Sequence, residues 1–100
     1  MGFKFSTVSF EIALDREIAR LGGKRIVSTH YPNCVGIAEG GPVLYKRDSK
    51  YDPYVVHWFN AECGGLHMGG YYSSVVDAWN DYSERVKTAN RRARLARHAA

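Results

Sequence analysis

One hundred residues, 45% hydrophobic and 13% aromatic, make one domain with enough apolar surface for a core, and exclude a wholly disordered chain. The net charge of +4 is unevenly spread: residues 1–84 hold eight Lys/Arg against ten Asp/Glu, whereas residues 85–100 hold six Lys/Arg and no acid. The body is slightly acidic and the cationic excess sits at the end, which points to an anionic partner such as nucleic acid or an acidic protein surface. Cations also oppose the macrodipole at a helix C-terminus, but six exceed that need.

Cys34 and Cys63 are too few for a disulfide framework and read as cytosolic thiols, although a single bridge stays open. No apolar run approaches the roughly 20 residues that a bilayer requires. The N-terminal apolar stretch is broken by Glu11 and Asp15 and lacks a signal-peptide cleavage pattern. Met1 to Ser6 fits the permissive myristoylation pattern, with no second anchor behind it. The expectation is a cytoplasmic protein with no membrane partner and no cofactor.

In chain order, Val8, Phe10, Ile12 and Leu14 alternate as in a strand, while Phe10, Ala13, Leu14, Ile18 and Leu21 trace a longer helical face. Ser6 or Thr7 would cap that helix and Gly22-Gly23 would end it, so a helix is expected. Residues 25–30, 33–39 and 43–46 then read as short strands, with a tight hairpin turn at Glu39-Gly40-Gly41-Pro42. After the polar stretch Arg47 to Pro53, Tyr54 to Asn60 is the strongest strand. Its apolar residues on both faces imply a central position or cover on both sides. Gly65 to Tyr72 follows a turn, and its recurring glycines signal bulges or a close backbone approach.

Ser74 would cap a long last helix whose first half carries the stripe Val75, Trp79, Tyr82 and Val86. Its second half keeps only Ala89, Ala93 and Ala96 on that stripe, among Arg85, Lys87, Arg91, Arg92, Arg94 and Arg97. From Ser74 to Arg97 it would extend about 36 Å, against about 17–20 Å for an ordinary strand. The last turns should therefore overhang, with 88–100 a basic helical extension that folding does not need. The fold class expected is α+β: one domain over 1–100, with an antiparallel sheet of about four or five short strands, an N-terminal helix and a long C-terminal helix packed on one face.

Two constellations bear on chemistry. His30-x3-Cys34 and Cys63-x3-His67 supply four N/S ligands suited to tetrahedral zinc. On a strand, however, a separation of four leaves such ligands about 13 Å apart. Cys63 beside His57 or His67 would be a thiol nucleophile with a base, but nothing marks a nucleophile elbow or an oxyanion hole. A zinc- or thiol-dependent enzyme is thus the weakest alternative. Cations interleaved with aromatics are better represented: Lys46, Arg47, Lys50 and Tyr51, flanked by Tyr45 and Tyr54, would stack on bases and meet phosphates. Asp48 and Asp52 dilute that patch.

From Tyr54 to Val86 the order is strand, Gly-rich turn, a strand ending Gly70-Tyr71-Tyr72, then a Ser-capped helix with Ala78, Trp79 and Tyr82. This resembles the β-β-α ending of small phage and mobile-element proteins, among them small anti-CRISPR inhibitors. The resemblance implies a compact binder that blocks a host macromolecular machine without catalysis, and it transfers no site residue. The basic extension after Val86 departs from it. The leading expectation is a non-enzymatic interaction protein for a host protein or nucleoprotein complex. The alternative is a DNA- or RNA-binding domain that uses the basic helix, and a homo-oligomer stays open.

Overall fold

The computed structural model describes residues 5–33 and 38–99, with side chains through Leu95. Helix α1 (Thr7–Arg20) leads into strands β1 (Gly23–Ser28), β2 (Gly40–Arg47), β3 (Tyr54–Asn60) and β4 (Gly65–Tyr72), and helix α2 (Val75–Ala99) ends the chain. The strands form one antiparallel sheet in the order β1-β2-β3-β4. The fold is α+β, as the residue pattern implied. Among the described residues no helix is long and apolar enough to cross a membrane.

Helix α1 starts where Ser6 Oγ accepts a hydrogen bond from Ser9 N at 3.0 Å and stops before Gly22, whose φ is 76°. Phe10, Leu14 and Ile18, one turn apart, are buried, whereas Val8 and Ile12 are exposed, so the helical pattern prevails over the alternating one. The buried trio packs on Val43, Tyr45, Val55 and Phe59 of the sheet. Each fully buried side chain of this size contributes about 1.5–3 kcal/mol relative to exposure.

Side chains alternate along a strand, so Leu44 and Val56 point to the other face. There they meet Ala78 and Tyr82 of α2, with Val27, Tyr54, Tyr72 and Val86 at the margin. The expectation that both helices share one face is therefore corrected: α1 and α2 cover opposite faces. The physical reason lies in β2 and β3, apolar on both sides, which would leave one set against water under a single layer of helices. Strand β3 lies between β2 and β4, the interior position that its sequence required.

Two local expectations also change. Gly40, Gly41 and Pro42 belong to β2, paired with Asn60, Phe59 and Trp58, and form no hairpin turn. Glycine is needed there for room: a Cβ on Gly41 would fall onto the Thr29 carbonyl oxygen, and one on Gly40 onto that of Phe59. Most of the strand expected at 33–39 lies outside the described residues. The buried stripe of α2 is Ala78, Tyr82 and Ala89, with Val86 and Ala93 partly covered, while Trp79 is 40% exposed. The period of the helix was legible, but its inner face is turned toward Ala78. A methyl lets the helix approach Leu44 and Val56 closely, and Trp79 lies edge-on against Tyr82 at 5.7 Å.

Candidate functional site

Beyond Tyr82 the sheet face meets α2 through a second, smaller cluster. Tyr31 and Trp58 stack at 6.1 Å with planes 16° apart, and Ala89 and Ala93 pack on them. Tyr31 donates its hydroxyl hydrogen to Asn90 Oδ1 at 2.7 Å, and the Val86 carbonyl oxygen lies 3.3 Å away. Contact with the body thus continues past Thr88 to Ala93. The overhang is confined to the turns after that.

Between this part of α2 and the β3–β4 edge runs a groove of about 490 Å³. Trp58, Met68 and Ala89 give it an apolar floor, and Arg85, Thr88 and Arg92, spaced three and four apart, form the helix wall. Met68 sits in a β-bulge, where β4 has two residues opposite His57 of β3. Its φ of 55° is in the left-handed region, and the side chain is 71% exposed. A non-glycine residue there is strained.

Arg85 is part of this wall and of the fold. Its Nε donates to Asp81 Oδ1 at 2.7 Å and its Nη2 to Oδ2 at 3.3 Å, while Tyr72 donates to the same Oδ2 at 2.5 Å. Burial opposes ionisation of Asp81, but the hydrogen bonds from Arg85 and Tyr72, with the Arg85 charge, outweigh it and hold the carboxyl below its ordinary range. The Arg85 Nη1 is buried without a hydrogen-bond partner.

The other cations divide sharply. Lys87 faces Glu84 at 3.4 Å, an exposed pair of little energetic weight. Arg91, Arg92 and Arg94 are exposed and make no ion pair with any described residue. The Arg97 side chain lies outside the described residues. Lys46, Arg47, Lys50 and Tyr51 lie at the opposite end of the sheet, where α2 begins, so about 25 Å of helix separates them from Arg92. Lys46 sits over the Tyr54 ring at 5.9 Å, Arg47 over Tyr71 at 5.0 Å, and Lys50 over Tyr51 at 5.7 Å. Lys46 and Arg47, adjacent on β2, point to opposite faces. The expected binding residues therefore form two separate clusters.

The four-ligand zinc set is not assembled among the described residues, where no group of three His, Cys, Asp or Glu side chains is placed to hold a metal. His30 stacks on Phe10 at 4.2 Å with its Nε2 2.8 Å from Glu39 Oε2, against the α1 side of the core. Cys63 is an exposed thiol whose Sγ lies 3.7 Å from His67 Nε2 at the β3–β4 turn. Cys34 lies outside the described residues.

His57, which the sequence offered only as a base for Cys63, is instead a buried partner of Tyr45, whose hydroxyl is 3.1 Å from Nδ1. Burial, then the charges of Arg85 and Arg47, push its pKa down, which favours neutral imidazole at pH 7. A second cleft of about 420 Å³ passes His57, Arg20, Arg47 and Tyr71. Its cations are committed, Arg20 to Glu17 and Arg47 to the Asp52 carbonyl oxygen and the Tyr71 ring.

Sequence reasoning missed Trp58, Met68 and Thr88 as groove residues. The available signals were a methionine set among glycines at 65, 69 and 70, and a threonine three residues after Arg85. No family model matches the chain, and no curated protein or solved structure is significantly similar to it.

Proposed function

We propose that this protein is a non-enzymatic interaction module that engages the nucleic-acid part of a nucleoprotein complex through the basic end of α2. The observation that carries this is the contrast among cations. Arg20, Arg25 and Arg85 are bound to carboxylates of the body, whereas Arg91, Arg92 and Arg94 are exposed and free of ion pairs among the described residues. Fixed on a helix, three such guanidiniums present charge to a phosphate backbone. A slightly acidic body would keep the rest of the surface away from it. Blocking a host machine in the manner of a small phage inhibitor would need only such binding.

The test is fluorescence anisotropy with labelled DNA and RNA across a salt series. Three phosphate contacts give a slope of about −2 to −3 in log affinity against log salt. Replacing Arg91, Arg92 and Arg94 together by Gln should flatten that slope while changing stability by less than about 0.5 kcal/mol. Absence of binding to either nucleic acid at low salt would remove the proposal.

A second reading, docking on a host protein, is favoured by Val8 and Ile12, exposed one turn apart on the outer face of α1. Nuclease-treated capture from host lysate that loses its partner with Val8→Glu and Ile12→Glu would support it. Size-exclusion chromatography would show whether the same row pairs two copies of the chain.

A further inference from the structure

The basic end of α2 alone would serve any polyanion, but the groove beside it has features that phosphate binding does not use. Its floor combines the Trp58 ring, already stacked on Tyr31, with the exposed Met68 thioether. Its wall carries Arg92, the Thr88 hydroxyl, and Arg85 held in place by Asp81. Glu84 is on the same wall, with Lys87 beside it at 3.4 Å. At about 490 Å³ the groove falls within the range of sites that enclose a small planar ligand, roughly 300–1,000 Å³.

Met68 marks the same groove independently. Glycine occupies positions 64, 65, 69 and 70, yet the residue at the left-handed bulge position is a methionine. Its side chain is 71% exposed, so the strain is not offset by burial in the core. A strained, exposed, apolar side chain over a groove is the kind of feature that ligand contact explains.

We propose that this groove seats an unstacked base of single-stranded nucleic acid against Trp58 and Met68, with the adjoining phosphate on Arg92, the free cation that lines it. This deepens the nucleic-acid reading above and rests on it. Charge complementarity selects the occupant: on the wall Arg85 is neutralised by Asp81 and Glu84 is paired with Lys87, which leaves Arg92 as its free charge, and the helix beyond the wall is cationic. An aromatic floor adds affinity only for a base that has left its own stack, which duplex bases have not. Base stacking on an aromatic ring tolerates any sequence, so the groove discriminates strandedness and not base identity.

The experiment uses the full chain with Trp79→Phe, so that Trp58 is the sole tryptophan, and follows its fluorescence. The probes are oligothymidylate and oligouridylate of about 12 nucleotides, a duplex of the same length, and an oligoglutamate peptide as an acidic protein surface. Single strands should quench Trp58 and bind about tenfold or more tighter than duplex at equal salt. Met68→Gly, which relieves the φ strain, should raise the thermal midpoint and weaken single-strand binding without altering the salt slope. Arg92→Gln should lower that slope by about one.

Equal affinity for single strand and duplex with no quenching would overturn the groove while leaving the phosphate-binding arm intact. Quenching by oligoglutamate alone would assign the groove to a protein partner and overturn it as well. Failure of every nucleic acid to bind at low salt would remove the proposed function itself. Retention of full single-strand affinity by a folded Met68→Gly protein would also count against the seat.

Discussion

Helix α1 meets its face of the sheet through Phe10, Leu14 and Ile18, whereas α2 meets the opposite face through Ala78, Tyr82 and Ala89. Large side chains at α1 interlock with Tyr45 and Phe59 and form a closed core. Small ones on α2 bring the helix near the sheet, and polar ties then hold it: Tyr72 on Asp81, Thr29 with Tyr82, Tyr31 on Asn90. One short chain thus divides its work between two faces of a sheet. The α1 face contributes stability through buried area, and α2, attached along a narrower stripe, keeps one flank free for a groove.

The largest expected effect comes from the closed face. Phe10→Ala should lower the free energy of unfolding by about 3–5 kcal/mol, measured by chemical denaturation. Trp79→Ala, a larger truncation on the α2 side, should cost only about 1–2 kcal/mol because the ring is partly exposed. Equal losses would break the contrast between the faces.

An intermediate effect tests where α2 stops belonging to the fold. Removing the chain after Thr88 deletes the buried Ala89 and the Asn90 acceptor of Tyr31, and should cost about 1–3 kcal/mol. Removing it after Arg94 should leave stability within about 0.5 kcal/mol. Identical thermal midpoints for the two truncations would place the boundary back at Thr88.

The smallest effect is a pH dependence on the α1 face. His57 has a folded pKa below its ordinary 6.5, first because of burial and then because of Arg85 and Arg47. The unfolded chain therefore binds the proton more readily. The contribution of neutral His57 is complete above about pH 6.5 and is lost as the pH falls toward the folded value. Denaturation midpoints of the wild type should decline between pH 7 and pH 5 more steeply than those of His57→Gln, which keeps an acceptor for Tyr45. Parallel profiles would show that His57 does not couple folding to protons.

Much of the architecture could be read along the chain. The spacing of Phe10, Leu14 and Ile18 marked α1, and the two-sided apolar pattern of Tyr54 to Asn60 marked an interior strand. The candidate site was less legible. Arg85 looked like an arm cation and proved to be tied to Asp81, Trp58 stood only as one residue of the strand Tyr54 to Asn60 and lines the groove, and Lys46 to Tyr51 lie remote from the arm.

By itself the sequence determined what is local or additive: helix and strand periods, the caps at Ser6 and Ser74, and an acidic body with a basic end. Those follow from the chemistry of near neighbours and from charge counts. Tertiary structure alone decided the phase of α2, the placement of the helices on opposite faces, the strand role of Gly40 and Gly41, and the meeting of Trp58, Met68 and Arg92 at one groove. A period states which residues share a face. Which face turns inward depends on how closely two backbones can approach, and residues distant in the chain set that distance.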